Sequence, residues 1–168
     1  MQNRIGISSG QMVTGNMGSE ARMNYTMMGD NVNTAARLES SAKQYGIYIQ
    51  IADSTYQPIK DRIVVRDLDN VRVMGKNEPV KVWELISEVG QEPDQYKKIL
   101  PAYHEALDLY KNQEWAKAIE AFKASDALED MFGGRKTNPS RIYIPRCEHY
   151  LENPPGDDWD GVWTLTSK

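Results

Sequence analysis

The chain has 168 residues, 40% hydrophobic and 26% charged, enough apolar content for a core and too much for a generically disordered chain. A net charge of −4 argues against broad nucleic-acid binding, and no apolar run approaches the ~20 residues that a membrane-spanning helix needs. The single cysteine, Cys147, excludes an intrachain disulfide and, with only two histidines, a Cys/His zinc cluster.

The first half reads as short β-rich runs punctuated by glycine. Arg4-Ile5-Gly6-Ile7-Ser8 and Gln11-Met12-Val13-Thr14 have strand character. The segment from Gly15 to Arg22 reads as a long hairpin loop, and Tyr25-Thr26-Met27-Met28 as a third strand. A helix is predicted from Asp30 or Asn31, either a plausible N-cap, to a stop near Gly46. Its apolar stripe is narrow: Val32, Ala35, Ala36 and Leu38. Ile47-Tyr48-Ile49-Gln50-Ile51 alternates as a strand, and a short helix from Asp53 or Ser54 to about Gln57 follows. Val71-Arg72-Val73 and the run from Pro79 to Leu85 are the last strands.

After Gly90 the period becomes helical. Ile99, Leu100, Tyr103, Leu107 and Tyr110 share one face, and Asn112-Gln113 breaks the run. A second helix carries Trp115, Ala118, Ile119, Phe122 and Leu128. Gly133-Gly134 and the residues from Lys136 to Asn138 read as a loop. Ser140 is the expected cap of a third helix through Ile142, Tyr143, Cys147 and Tyr150, with Pro145 expected to kink or limit it. The turn-rich terminus offers Trp159 and Trp163 as docking groups. Tyr103, Tyr110, Trp115 and Phe122 read as core, and Cys147 as a buried helix residue.

Three motifs invite a chemical reading. Gly6-Ile7-Ser8-Ser9-Gly10 matches the G-x-S-x-G pattern of serine hydrolases, which needs a strand, a sharp turn and then a helix. A strand follows instead, so a tight glycine turn is the better reading. Gly15-Asn16-Met17-Gly18 lacks the lysine and spacing of a phosphate loop. Asn33 and Arg37 lie four apart and therefore share a helix face, where an amide and a guanidinium can hold a sugar and a phosphate together. The alternative is an exposed Asn and an Arg paired with Glu39 or Asp30.

Four blocks in order carry a resemblance: Arg4-Ile5-Gly6-Ile7-Ser8-Ser9-Gly10; Gly15 and Gly18; the run Gly29-Asp30-Asn31-Val32-Asn33-Thr34-Ala35-Ala36-Arg37-Leu38-Glu39; and the run from Gly75 to Leu85. Together they resemble the class III nucleotide cyclase catalytic domain over about residues 1–87, and look like only its second half. The resemblance implies an α+β fold, a partial ferredoxin-like cyclase domain followed by an α-helical, tetratricopeptide-like tail. It implies attack of the ATP ribose 3′-hydroxyl on the α-phosphate, with loss of pyrophosphate. Asn33 would orient the ribose and Arg37 would stabilise charge on the α-phosphate, as catalytic residues. Thr26 matches a base-reading position and favours adenine. Mg²⁺ or Mn²⁺ is expected for the complete enzyme, with the family's two metal aspartates and its adenine-reading lysine upstream of this chain. Where some members carry a triphosphate lysine this chain has Met74. Lys76 either partly compensates as a substrate contact or is a solvated turn residue.

The family's sites lie between two catalytic domains, so a second cyclase domain, a homodimer in the full-length protein, is the implied partner. Residues 96–152 resemble the helical tail of bacterial adenylate cyclases. The run from Tyr110 to Phe122 is similar to a tetratricopeptide helix pair, about one unit where stable arrays use three or more. A helical cap on the cyclase half is the other reading of the tail. The organisation expected is a cyclase half-domain over 1–88, a helical region over 93–152 and a turn-rich tail over 153–168. A tail partner would be a protein, not nucleic acid. Met1-Gln2-Asn3-Arg4 lacks the apolar core of a secretory signal, which predicts a cytoplasmic domain, with any membrane anchor upstream. Half a catalytic domain should expose sheet edges and apolar surface, and should not turn over ATP alone. The reading from a different class is a non-catalytic interaction module with a relic cyclase half.

Overall fold

The computed structural model describes residues 3–71, 79–129 and 136–163. Strand β1 (Ile5–Ile7) leads into a hairpin of β2 (Val13–Ser19) and β3 (Arg22–Met28), and then helix α1 (Asp30–Tyr45). β4 (Ile49–Ala52), the one-turn helix α2 (Asp53–Tyr56), β5 (Ile63–Val71) and β6 (Val80–Glu88) complete the first half. The second half is α3 (Tyr96–Lys111), α4 (Trp115–Glu129) and α5 (Pro139–Glu152).

Four strands form one sheet in the order β1-β4-β6-β5, with β1 parallel to β4 and the other pairs antiparallel. The β2–β3 hairpin forms its own two-stranded sheet. Leu38, Ala42 and Tyr45 of α1 pack against Ala52, Leu68 and Val82 of the four-stranded sheet. Gly6 makes the approach of β1 to α1 feasible: a Cβ there would stand 2.1 Å from the Ala35 carbonyl oxygen and 2.4 Å from the Glu39 nitrogen.

Helices α3, α4 and α5 share a core rich in rings, among them Tyr103, Tyr110, Trp115, Phe122, Tyr143 and Tyr150. Phe122 and Tyr143 stack at 5.0 Å, and Trp115 and Tyr150 lie 4.8 Å apart. Such pairs add ~0.5–1.5 kcal/mol each beyond their buried area. Trp159 and Trp163 pack against this cluster and tie the C-terminal segment down. Cys147 lies buried within it, and burial pushes its thiol pKa up to about 12, so it is an inert core group.

The helices also complete β5, the last strand of the sheet. Between Asp67 and Asp69 the register with β6 shifts, leaving Leu68 without a partner residue. The Tyr143 hydroxyl donates to the Leu68 carbonyl, and His104 Nε2 accepts the Asp67 N–H at 3.4 Å. Arg66, fully buried, joins Glu84 of β6 to Glu129 of α4. The Leu68 carbonyl and the Asp67 N–H of this outer strand are no longer open to a foreign strand.

Several sequence expectations change. The stretch read as a loop from Gly15 to Arg22 is mostly paired strand, with Gly15 opposite Thr26 and Ser19 opposite Arg22. Glycines carry weak strand propensity, and only the partner strand makes them β. β5 begins at Ile63, eight residues before the strand predicted at Val71. Asn138, not Ser140, caps α5: its side-chain oxygen accepts the Arg141 N–H at 3.1 Å. Pro145 does not end that helix, which continues to Glu152, and its ring is exposed.

Candidate functional site

Helix α1 is built to show one face. Thr34, Leu38, Ala42 and Tyr45 are buried, at the spacing of a single helical stripe. Asn33 and Arg37 stand off that stripe, four apart and both exposed, so their shared face flanks the buried one. The helix starts with Asp30, whose charge suits the positive end of the helix dipole, and Lys43 lies in its last turn. Gly46 ends it in a left-handed conformation, with φ of 66°, and its N–H returns to the Ala42 and Lys43 carbonyls.

The segment before α1 orients it. The Ser8 hydroxyl donates to Asn31 Oδ1 at 3.2 Å, and Asn31 Nδ2 donates to the Gln11 carbonyl at 3.1 Å. Gly6-Ile7-Ser8-Ser9-Gly10 is thus a packing and pinning segment. The next element is β2, so the serine does not sit on the strand-to-helix elbow a hydrolase nucleophile needs. The pinning role of Asn31 was not legible in the sequence, because its partners lie 20 and 23 positions away.

Thr26 lies in β3, exposed, a short step before α1. The hairpin that carries it shows a broad apolar surface: Val13 is 65% exposed, Met23 63% and Tyr25 74%, with Met12, Met27 and Met28 also exposed. Lys76 and Met74 lie outside the described residues. Thr26, Asn33 and Arg37 are therefore the predicted site residues that the structure describes, all on exposed elements around the hairpin-to-helix junction.

Among the described residues no group of three or more His, Cys, Asp or Glu side chains could hold a metal ion. The donor set described here does not fit a two-metal centre. A cavity of about 230 Å³ lies between β5, α3, Tyr143 and the Trp159–Gly161 corner, and none of Thr26, Asn33 or Arg37 lines it. Its carboxylates already have structural partners: Asp67 takes Lys81 at 3.0 Å and Lys111 at 2.9 Å, and Asp69 takes Arg146 at 2.7 Å.

Sequence comparison places this geometry. The adenylate and guanylate cyclase catalytic domain family matches residues 1–87, slightly more than half of the chain, and the chain belongs to that family. It is 34% identical over 151 residues to the terminal-differentiation specific adenylate cyclase of Dictyostelium discoideum, an alignment covering 88% of this chain and 7% of the relative. An alignment of that extent runs past residue 87 into the helical half. Adenylate cyclase 1 of Rhizobium meliloti is 33% identical over 88 residues, 52% of this chain and 13% of the relative. Among solved structures, the adenylyl cyclase CyaB of P. aeruginosa is 35% identical, with 54% of this chain and 45% of that chain covered and a TM-score of 0.45. The chain thus spans a small fraction of these curated relatives' length.

Proposed function

We propose that this chain supplies the second half of a class III adenylate cyclase catalytic domain, joined to a tetratricopeptide-like helical tail over 93–152. The reaction is conversion of ATP to cyclic AMP and pyrophosphate. The ribose 3′-oxygen forms a bond to the α-phosphorus, its proton departs, and the bond from that phosphorus to the pyrophosphate oxygen breaks. Arg37 offers a fixed fork of donors to the α-phosphate as charge redistributes there, and Asn33, one turn earlier on the same face, holds the ribose. Thr26 reads the adenine edge, and Lys76 is the candidate triphosphate contact.

The observation that carries this reading is the common exposed face of Asn33 and Arg37 within the family-matched residues. The exposed apolar hairpin beside them and the short outer strand β1 support a second proposal. The surface is covered by the first half of the catalytic domain and by a second cyclase domain, whose juxtaposition completes the site. Mg²⁺ or Mn²⁺ belongs to that complete domain, held by ligands outside the described set. The similarity to the adenylate cyclases of Dictyostelium discoideum and Rhizobium meliloti favours ATP. A cytoplasmic location, and a protein partner for the helical tail, complete the reading.

The test is complementation. The pure chain should make no cyclic AMP with ATP and Mn²⁺. The same chain mixed with the upstream half of a class III cyclase domain should make it. Turnover by the pure chain overturns the half-site reading. Failure of every complementing half, together with protein capture by the tail, favours a non-catalytic interaction module.

A further inference from the structure

The helix that carries Asn33 and Arg37 is held at both ends, and the helical half holds the far one. At the start of α1, Asn31 is bonded to Ser8 and Gln11, both from the cyclase half. At its end, the Tyr45 hydroxyl donates to Asp69 Oδ2 at 2.6 Å. Arg146 of α5 donates to the same oxygen at 2.7 Å, and the Asn70 N–H takes Oδ1 at 2.8 Å. Tyr45 is 4% exposed and Asp69 7%. A bond between a buried hydroxyl and a carboxylate is directional and does not slide, unlike the apolar contacts of Leu38 and Ala42.

Two further contacts converge there. A Cβ on Gly46 would stand 2.0 Å from the Thr137 carbonyl oxygen, so the segment entering α5 lies against the cap of α1. Ile142, one turn before Arg146 on α5, packs against the cluster of Leu38, Ala42 and Tyr45. The Arg146 guanidinium also lies 5.4 Å from the centre of the Trp163 ring, in the C-terminal segment. A continuous path of packed, bonded groups therefore runs from Trp163 through Arg146 and Asp69 to Tyr45. Arg37 lies eight residues before Tyr45 on the same helix, about 12 Å along its axis.

We propose that Tyr45, Asp69 and Arg146 are positioning residues through which α5 and the C-terminal segment set the placement of α1, and with it Asn33 and Arg37. The helical half is then a tuning element of the site rather than an appendage. The role in catalysis rests on the assignment of Asn33 and Arg37 to the nucleotide; the mechanical coupling does not.

Hydrogen exchange of the 168-residue chain tests the coupling with Tyr45→Phe, Arg146→Met and the double substitution. Tyr45→Phe removes one hydroxyl and leaves the ring, so the fold survives it. Tyr45→Phe should speed exchange in the last two turns of α1 about tenfold, the scale of one hydrogen bond to a charged group, and Arg146→Met, which breaks a buried ion pair, should speed it by a larger factor. In Tyr45→Phe, exchange within α3 and α4 should not change. The double change should fall well short of the product of the singles, because both act through Asp69. Unchanged exchange in α1, or singles that multiply, overturns the coupling. In a chain with a complementing half, Tyr45→Phe should lower kcat about fivefold with KM within about twofold. Unaltered kcat despite faster exchange overturns the positioning role. Absence of activity in every complemented chain instead removes the cyclase reading, and the exchange result still decides the coupling.

Discussion

Arg66 of β5 and Glu129, the last residue of α4, stand 63 positions apart in the chain and meet as a buried two-point ion pair. Nη1 donates to Oε1 at 2.5 Å and Nη2 to Oε2 at 3.3 Å. Glu84 accepts from Nε of the same guanidinium at 2.7 Å, and the Tyr103 ring centre lies 5.1 Å from the Arg66 guanidinium carbon. Burial disfavours the Arg66 charge, but Glu84 and Glu129 outweigh it and hold the group protonated. Arg66→Met would take the buried cation away from two buried carboxylates, so urea unfolding should show a loss of about 3–5 kcal/mol. Because the cluster spans both halves, circular dichroism and tryptophan fluorescence should follow one transition in the intact chain. Residues 1–87 alone should show no cooperative transition.

Gly6→Ala places a methyl group where β1 meets the backbone of α1. The obstructing atoms are the Ala35 carbonyl oxygen and the Glu39 nitrogen, which cannot rotate aside as a side chain can. The helix must shift, and overpacking of this kind costs about 1–3 kcal/mol. A lowered thermal midpoint should come with altered amide shifts across residues 33–40. An unshifted midpoint would show that β1 does not bear on α1.

His104 should make stability fall with acid. Desolvation by burial is the main cause of its lowered pKa, with Arg66 and Lys111 acting in the same direction and Asp67 and Asp108 opposing. Its Nε2 accepts the Asp67 N–H and must be neutral to do so. The unfolded imidazole, with a pKa near 6.5, takes up its proton first, so the unfolded state binds more protons as pH drops. The contribution is therefore intact above pH ~6.5 and is lost as pH falls from there through the lower folded pKa. His104→Gln should flatten that part of the stability–pH curve; an equally steep curve in the variant would assign the slope to other groups.

The hairpin surface should drive self-association of the chain. Met23, Tyr25 and Met27 alternate along β3, all more than half exposed. Sedimentation velocity should show concentration-dependent association that Met23→Lys with Met27→Lys reduces, with little change in thermal midpoint, since neither side chain lies in the core. A monodisperse wild-type chain at high concentration would contradict this.

Arg37→Ala tests the proposed chemistry in a complemented cyclase. A group that stabilises charge mainly in the transition state should lower kcat by about 10²–10³ while KM stays within a fewfold. An equal loss in ground-state ATP binding would reassign Arg37 to substrate capture.

The sequence by itself determined the features that depend on near neighbours. The helix over Asp30–Tyr45 was legible because the Gly46 stop is local, although its N-cap is Gly29, with no side-chain cap bond, rather than Asp30 or Asn31; period alone puts Asn33 and Arg37 on one face. The rings of Tyr103, Tyr110, Trp115 and Phe122 were legible as core for the same reason, and the four motif blocks carried the family. Tertiary structure alone decided how far β5 and the two hairpin strands extend. Ile63–Val71 carries Arg66, Asp67, Asp69 and Asn70, a charge pattern that reads as solvated loop. Those charges are tolerated in a strand because their partners arrive from far along the chain, Glu129 63 positions away and Arg146 77. The local pattern cannot show that a buried charge will be neutralised. It also cannot show that a glycine-rich run will be paired, because β structure needs a second strand to supply the hydrogen bonds that a helix finds within itself.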